Sequence, residues 1–279
     1  MADIKKFEEA NTPAELIDTL ETRAMSRHNT GAGGTIKYVC HYTKMSAISA
    51  IMKEKKWYIG SPKTMNDGLE LIHLEDAHAD NLFFASFCLD DTENIGMWSM
   101  YAQPWEDGVL LRIPLEKFKT WVKSGSKIYD ADKSTKKSGG VITGAKLSFH
   151  AVAYTNAESK DKKEPEILFC GTHQNDHLKN VPELPELKGY IKDSAWAYEN
   201  EYRIRVETDP GEVHDAVSVE IPEDVLNSFE FITGPRFEKN FTKVLRNTTN
   251  NLRLRPKVKE SLFTGRLKWV YCDSCKNKK

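Results

Sequence analysis

Residues 196–207 read Trp-Ala-Tyr-Glu-Asn-Glu-Tyr-Arg-Ile-Arg-Val-Glu, and the second half of this stretch alternates between apolar and charged side chains. Such alternation is typical of a β-strand, because successive side chains of a strand point to opposite faces of its sheet. We therefore predict a strand over 201–207 with an apolar core face and a charged opposite face. The two faces carry Tyr202, Ile204 and Val206, and Glu201, Arg203 and Arg205, respectively.

Further strands and helices flank this stretch. The continuous apolar run 82–87 predicts a central strand. The other strand-like segments are 36–42, 57–60, 108–113, 217–221 and 229–233. Capping signals and helical spacing of apolar residues predict helices over 12–27, 43–52, 94–101 and 238–247. Because most strands follow one another without an intervening helix, the pattern predicts an α+β fold with an antiparallel or mixed sheet.

The composition indicates a globular cytoplasmic protein. The chain has 279 residues, of which 39% are hydrophobic, and because its first residues lack an apolar segment we expect no signal peptide. No apolar run approaches the roughly 20 residues of a membrane-spanning helix, so we expect no membrane contact. Five cysteines in a chain of this length suit reduced thiols. The absence of a GxGxxG or Walker sequence argues against Rossmann and P-loop folds.

The same patterns predict the domain organisation. We expect a single α+β domain over 35–271, preceded by a helix and loop at 1–34 and followed by a basic tail at 272–279. Two polar stretches, near 123–146 and 155–190, lack hydrophobic periodicity. Such stretches are typical of surface insertions or mobile loops.

Three short segments place reactive or aromatic side chains in or beside predicted strands. They are Cys-His-Tyr-Thr at 40–43, Met-Trp-Ser-Met-Tyr at 97–101, and Trp-Ala-Tyr-Glu-Asn-Glu-Tyr-Arg at 196–203. Each has a structural alternative: a histidine held in the core, a buried helix face, and a strand with Glu-Arg salt bridges.

Taken together, these segments resemble the bacterial family of domain of unknown function 2971. The motifs follow in the order His-Tyr-Thr, a helix, Ser-Pro-x-x-x-Asn-Asp, Met-Trp-Ser-x-Tyr-Ala, Trp-x-Tyr-Glu-x-Glu-x-Arg and Gly-Pro-Arg. The resemblance runs from Tyr38 to Arg266, outside the two polar stretches.

That family is in turn similar to ADP-ribosyltransferases of the His-Tyr-Glu type, the group of diphtheria toxin and the poly(ADP-ribose) polymerases. The resemblance implies a split antiparallel or mixed sheet with peripheral helices, and a reaction that consumes NAD. It also implies that His41 with Thr43 binds the adenosine ribose, that Tyr101 stacks on nicotinamide, and that Glu201 contacts the nicotinamide ribose. We therefore expect His41, Tyr101 and Glu201 to line one cleft as the catalytic residues.

This sequence departs from that pattern in two places. Tyr42 stands where those enzymes have glycine, and a second ring beside nicotinamide would have to come from Tyr58 or Trp98. The residues expected to contact NAD are His41, Tyr42, Thr43, Ser61, Asn66, Ser86, Trp98, Tyr101 and Arg203.

The expected chemistry explains why a carboxylate is needed. Cleavage of the nicotinamide glycosidic bond passes through an oxocarbenium-like state, so a carboxylate against the ribose stabilises charge that develops only in the transition state. Glu201 could supply that carboxylate. Arg203 and Arg205 would keep it ionised, and could equally neutralise the pyrophosphate of NAD.

Charge is unevenly distributed along the chain. The net charge is −1, but residues 234–279 contain 13 Lys and Arg against 3 Asp and Glu. Four cations lie about one helical turn apart and predict a basic stripe suited to nucleic acid, RNA before DNA. They are Arg236, Lys239, Lys243 and Arg246. The alternative is a solvated helix with a polar tail.

These observations predict an NAD-consuming transferase, either a bacterial toxin or an anti-phage effector, with an antitoxin protein as a further candidate partner. Three alternatives stay open. The first is a binding module for nucleic acid or protein without transferase activity, and the second is a transferase acting on a protein. The third is another reaction in the same cleft, such as NAD hydrolysis or 2′-phosphate transfer from RNA to NAD.

Several cysteines and histidines have spacings compatible with structural zinc. They are Cys170, His173, His177, Cys272 and Cys275. No strand-turn-strand knuckle is predicted around Cys170, and only four residues follow Cys275. We therefore predict no metal, with zinc as the alternative.

Overall fold

A computed structural model describes residues 36–64, 80–90, 92–132, 134–135, 137–155 and 189–266, together with residues 18, 21–22, 25, 167–168 and 177–178. The chain divides into two compact units. The first is formed from Met1–His41, Glu54–Asp91 and Ile113–Ser228, and the second from Tyr42–Lys53, Thr92–Arg112 and Phe229–Lys279.

The described residues form fifteen strands and five α-helices. In chain order the strands are β1 (Tyr38–Lys44), β2 (Lys56–Gly60), β3 (Leu82–Leu89), β4 (Gly108–Pro114), β5 (Ile128–Ala131), β6 (Ser138–Ile142), β7 (Lys146–Ala151), β8 (Ala153–Thr155), β9 (Ile167–Leu168), β10 (His177–Leu178), β11 (Ile191–Asp193), β12 (Glu201–Glu207), β13 (Ala216–Glu220), β14 (Glu230–Thr233) and β15 (Lys257–Glu260). The helices are α1 (Met45–Glu54), α2 (Ile95–Tyr101), α3 (Leu115–Lys123), α4 (Glu223–Leu226) and α5 (Phe241–Thr249).

The first unit is built on an antiparallel sheet whose centre is the pair β3 and β12. Strand β12 lies between β3 and β7, while β3 also pairs with β1 and β2. Strand β13 joins β2 to β5, and β5 pairs with β6. A smaller sheet has the order β10, β9, β8, β11, with β8 and β11 parallel. The predicted α+β class with a mixed sheet is therefore confirmed.

One face of the central sheet in the first unit is covered by aromatic side chains. Phe87 of β3 packs against Phe118 of α3, with ring centroids 5.0 Å apart, and Phe118 packs against Tyr202 of β12 at 5.7 Å. Trp57 lies 4.8 Å from Phe87 and 6.1 Å from Trp121. All five rings are buried, so this face forms the core of the unit.

The second unit has a three-stranded sheet and helices α1, α2 and α5. Strand β14 pairs antiparallel with β4 and parallel with β15. Phe231 of β14 packs against Phe241 of α5 at a centroid distance of 5.0 Å, and Leu245 is fully buried. Helix α5 begins after Asn240, whose side chain caps Lys243 N–H at 2.9 Å, slightly later than the sequence predicted.

The polar stretch near 123–146 contains strands β5 and β6, so the expectation of a mobile loop is wrong for this part of it. Hydrophobic periodicity is weak there because β6 is largely exposed. Backbone hydrogen bonds hold this stretch in place instead, since β5 pairs with both β13 and β6. The predicted insertion near 155–190 lies mostly outside the described residues.

The predicted N-terminal helix is described at four positions, which are all helical: Asp18, Glu21, Thr22 and Met25. Within the described part of the chain, no helix combines the length and the apolar character needed to cross a membrane.

Candidate active site

Glu201 is the first residue of β12, at the centre of the sheet in the first unit. The preceding 3-10 turn, Ser194–Glu199, ends at Asn200, which adopts a left-handed conformation with φ of 46° and redirects the chain into the strand. The Glu201 N–H donates to the Tyr154 hydroxyl at 2.8 Å, and its carbonyl accepts from Val152 N–H at 3.0 Å. The backbone of Glu201 is therefore fixed on both sides.

The Glu201 carboxylate lies in a buried ionic cluster with Lys192, Glu199 and Arg203, which we call the Glu201 cluster. Arg203 Nε and Nη2 donate to the two carboxylate oxygens of Glu201 at 2.6 and 2.9 Å. Lys192 Nζ donates to Glu201 Oε2 at 3.2 Å and to Glu199 Oε2 at 2.6 Å. Glu201 is only 2% exposed, so these charges interact with little screening by water.

The cluster holds Glu201 in its ionised form. Burial alone raises the pKa of this carboxyl group, but the charges of Arg203 and Lys192 and hydrogen bonds from Arg203 and Ser86 outweigh burial and lower the pKa to about 2. The sequence prediction that arginine keeps Glu201 ionised agrees with this geometry for Arg203. Arg205 contacts Glu207 instead, at 3.6 Å.

This depressed pKa predicts an acid-sensitive fold. The Glu201 pKa rises from about 2 in the folded chain to the ordinary value of 4.5 on unfolding, so its stabilisation is present above pH 4.5 and is lost as pH falls toward 2. We expect denaturation curves at pH 6 and pH 2.5 to differ by about 3 kcal/mol in unfolding free energy from this group. Glu201→Gln should remove this part of the pH dependence, whereas Glu207→Gln, at an exposed carboxylate of the same strand, should keep it. Equal acid sensitivity of wild type and Glu201→Gln would contradict the assignment.

Strand register places two cysteines in one row with Glu201. Cys88 of β3 pairs with Glu201 on one side and with Cys40 of β1 on the other. Directly paired residues of antiparallel strands share a face, so Cys40, Cys88 and Glu201 point to the same side of the sheet. Both thiols are buried, and a hydrogen bond with Cys40 together with burial raises the pKa of Cys88 well above its usual value. Ser86, two residues earlier in β3, pairs with Arg203 and shares this face.

His41 points to the other face of the sheet. It follows Cys40 in β1, and its ring packs on the aromatic core at centroid distances of 5.0 Å from Trp57 and 5.5 Å from Phe87. Phe87 pairs with Tyr202, whose side chain faces away from the Glu201 cluster. The expectation that His41 and Glu201 line one cleft is therefore wrong, because adjacent positions of a strand alternate between faces.

His41 is nevertheless linked to the Glu201 face through Ser86. Its Nδ1 lies 3.0 Å from the Ser86 carbonyl oxygen, which can only accept, so Nδ1 carries the proton. Burial lowers the pKa of His41, and the bond to Ser86 offsets this only in part, so the imidazole is neutral at pH 7. This hydrogen bond fixes the backbone of the residue whose side chain reaches Glu201.

The aromatic candidates Tyr42, Trp98 and Tyr101 belong to the second unit. Trp98 of α2 is fully buried: its Nε1 donates to Glu93 at 3.0 Å and its ring meets that of Tyr42 edge-on at 5.1 Å. Tyr42 is also buried, and its hydroxyl accepts from Asn94 N–H at 2.8 Å. The prediction that Trp98 and Tyr42 contact NAD is therefore wrong, because both rings are part of the core. The proposed roles of Thr43 and Tyr101, both partly exposed, stay predictions.

The other predicted NAD contacts lie in different settings. Arg203 is fully buried and all three guanidinium nitrogens donate, Nη1 to the Gly189 carbonyl at 2.6 Å, so it cannot bind a pyrophosphate as predicted. Ser61 is partly exposed, and its hydroxyl accepts from Lys63 N–H at 3.3 Å. Asn66 lies outside the described residues.

A cavity of about 670 Å³ opens elsewhere in the first unit. Charged side chains of both signs line it, among them Asp18, Glu21, Lys119 and Lys123, together with His150. Burial, together with the charge of Arg205, lowers the pKa of His150 to about 4. None of the residues predicted to bind NAD lines this cavity.

The predicted basic stripe is largely occupied within the second unit. Lys239 forms an ion pair with Asp107 at 2.5 Å, and Arg236 with Glu106 at 3.9 Å. Arg246 Nε donates to the Leu254 carbonyl at 2.9 Å. Lys243 is exposed on α5. Helical spacing alone predicted one basic surface. Because three of the four cations have partners within the unit, that surface is not formed.

Four of the five residues considered for the zinc alternative lie outside the described residues: Cys170, His173, Cys272 and Cys275. Of the fifth, His177, only the backbone in β10 is described. Across the described ranges, no group of three or more His, Cys, Asp and Glu side chains is arranged to hold a metal ion.

Comparison with known proteins bears on the motif segments. Residues 97–204 match the model of a family described as protein of unknown function (DUF2971). No curated protein matches the chain. A solved structure similar to this chain is DarT from Thermus sp. 2.9 in complex with carba-NAD+, at 11% sequence identity and a TM-score of 0.35, covering 82% of this chain and 96% of DarT. The matched segment, 97–204, holds two of the three motifs, and the family it matches is the one that the sequence motifs predicted.

Proposed function

We propose that this chain is an NAD-consuming ADP-ribosyltransferase in which Glu201 is the carboxylate that stabilises the transition state. The observation that carries the proposal is the Glu201 carboxylate at the head of the central strand, oriented by hydrogen bonds from Arg203 and Lys192. Family resemblance in the sequence motifs supports the same reaction. A carboxylate held ionised and oriented before the reaction needs no reorganisation when charge develops on the ribose.

The reaction balances without any further reactant. The bond between C1′ of the nicotinamide ribose and the nicotinamide nitrogen breaks, and nicotinamide leaves with the electron pair. An acceptor oxygen or nitrogen forms the new bond to C1′ and loses its proton. Glu201 stabilises the positive charge on the ribose between these events. Because Arg203 and Lys192 now occupy its oxygens, the carboxylate has to exchange one of these contacts for the ribose.

Ser86 and His41 are positioning residues in this proposal. The Ser86 hydroxyl helps to hold Glu201 ionised, while His41 fixes the Ser86 backbone from the opposite face. His41 therefore acts through Ser86 rather than on NAD, which replaces the catalytic role that the resemblance implied.

The acceptor in this proposal is nucleic acid, RNA before DNA, and the biological role is that of a toxin or anti-phage effector restrained by an antitoxin protein. The excess of positive charge in residues 234–279 supports a phosphate-bearing acceptor.

A second candidate is a binding module without transferase activity. It is favoured by one observation: Glu201 is 2% exposed and its charge is balanced by two cations. An ion cluster of this kind also occurs as a purely structural feature.

Product analysis tests both candidates. The purified chain is incubated with NAD labelled in its adenine, together with RNA, single-stranded DNA or lysate protein, and nicotinamide release is measured beside label transfer. The proposal expects equimolar nicotinamide and labelled RNA. Free ADP-ribose alone would indicate NAD hydrolysis, label only in protein would replace the acceptor, and no release of nicotinamide with any acceptor would favour the binding module.

A further inference from the structure

A row of four cations runs along the turn that follows α5 and into β15. Arg253, Arg255, Lys257 and Lys259 occupy every second position and are all exposed, while the residues between them are half-buried. We call these four residues the basic row. Lys257 and Lys259 share a face of β15, where alternate residues lie about 7 Å apart, while Arg253 lies in the turn and Arg255 in the segment that leads into the strand.

Few carboxylates neutralise this row. Lys257 and Lys259 share Glu230, at 3.4 and 3.8 Å from its two oxygens. In the part of the chain that the structure describes, Glu230 is the only carboxylate paired with the row. Arg255 Nη1 donates to the carbonyl oxygens of Leu252 and Leu254, both at 3.1 Å, which leaves its charge in place. Four cations against one carboxylate leave an excess of about three positive charges.

The row is held in a defined geometry by α5. Helix α5 ends at Asn250, which is left-handed with φ of 54°, and Arg246 donates to the Leu254 carbonyl in the middle of the turn. Asn251 accepts from the Arg253 N–H at 3.1 Å. Arg246, predicted to contact nucleic acid directly, instead supports the turn that carries the basic row.

We propose that the basic row binds single-stranded nucleic acid through its phosphates. Arginine and lysine at regular spacing match a chain of phosphates, and arginine can bind a phosphate with two parallel hydrogen bonds. The row offers no aromatic ring for reading bases and no helix to enter a duplex groove, so binding depends on the backbone and not on sequence. This inference rests on the proposed function, because it identifies the surface that would bind the nucleic-acid acceptor of the transferase.

Salt-dependent binding of a fluorescent 20-nucleotide oligouridine tests the row without NAD. We expect Arg253→Gln/Arg255→Gln to weaken binding about 10-fold at 0.15 M salt and to lower the slope of log affinity against log salt by about 1.4, the effect of two phosphate contacts. Arg236→Gln/Lys239→Gln removes the same net charge from cations that already pair with Glu106 and Asp107, and should change affinity less than about 2-fold.

Three results would overturn the proposal: no binding of the oligonucleotide by the wild type at 0.05 M salt, equal weakening by both double variants, or equally tight binding of poly-glutamate. Nicotinamide release is measured in parallel with RNA, single-stranded DNA or lysate protein as acceptor. Binding by the row without any release of nicotinamide would refute the transferase and leave the row intact, whereas normal release without binding would refute the row alone.

Discussion

Glu201→Gln is expected to lower nicotinamide release about 100-fold or more, the usual effect of removing one preorganised contact to a transition state. Glutamine keeps the size of the side chain and cannot carry the negative charge that the ribose needs. Because Arg203 and Lys192 would lose their counter-charge, folding is checked by circular dichroism and by denaturation at the assay temperature.

Two further variants separate catalysis from stability. Glu199→Gln also removes a carboxylate bonded to Lys192, but Glu199 lies in the 3-10 turn before β12 and not in the strand, and we expect turnover to fall less than about 10-fold. Glu201→Asp retains the charge and withdraws it by about one methylene, so turnover should fall while the cluster persists. Full activity of a folded Glu201→Gln chain would exclude Glu201 as the working carboxylate.

Local patterns in the sequence predicted the strands that carry the site. Alternation over 201–207 gave β12 with its two faces correctly divided, and the apolar run 82–87 lies within β3. These signals are local, because the alternation of side chains between the two faces can be recognised within one strand, without knowledge of its neighbours. Helix α3 was missed although Leu115, Phe118 and Val122 have the i, i+3, i+7 spacing of a buried helix face.

Local patterns could not predict which residues of neighbouring strands share a face of the sheet. Whether His41 or Cys40 shares a face with Glu201 depends on the register of β1 and β12 on β3, and a shift of one residue exchanges the faces. Register is set by contacts between residues far apart in sequence. The order of the motifs therefore predicted that His41 and Glu201 line one cleft, whereas strand pairing puts Cys40 on the same face of the sheet as Glu201.

Burial and charge pairing were the other unpredicted properties. The charged face of β12 was expected to meet solvent or NAD, but Gly189 and Lys192 from the preceding segment contact Arg203 and Glu201 there. The basic row had a visible signal in the alternation of Arg253, Arg255 and Lys257 with apolar residues. Helical spacing near α5 predicted exposed positive charge less well, because spacing carries no information about acidic partners elsewhere in the chain.

Arg203→Met should lower the free energy of unfolding by about 3–5 kcal/mol, the cost of leaving one member of a buried ion pair without its partner. Methionine replaces only the stem of arginine, so the measured loss combines the missing charge and hydrogen bonds with the space left by the guanidinium group. The side chain of Arg203 is fully buried and donates to both Glu201 oxygens and to the Gly189 carbonyl. Urea denaturation at pH 7 measures the change.

The matched control is Arg205→Met, two residues along on the same face of β12. Arg205 lies 3.6 Å from Glu207, a partly exposed carboxylate, and 5.1 Å from the centroid of the Tyr190 ring, so we expect a smaller loss of about 1–2 kcal/mol. Combining Arg203→Met with Glu201→Gln should recover part of the stability lost in Arg203→Met, because the glutamine no longer leaves a buried charge without compensation. If Arg203→Met and Arg205→Met cost the same, or if the double variant is as unstable as the sum of its parts, Glu201 is not held by Arg203 in the way its geometry indicates.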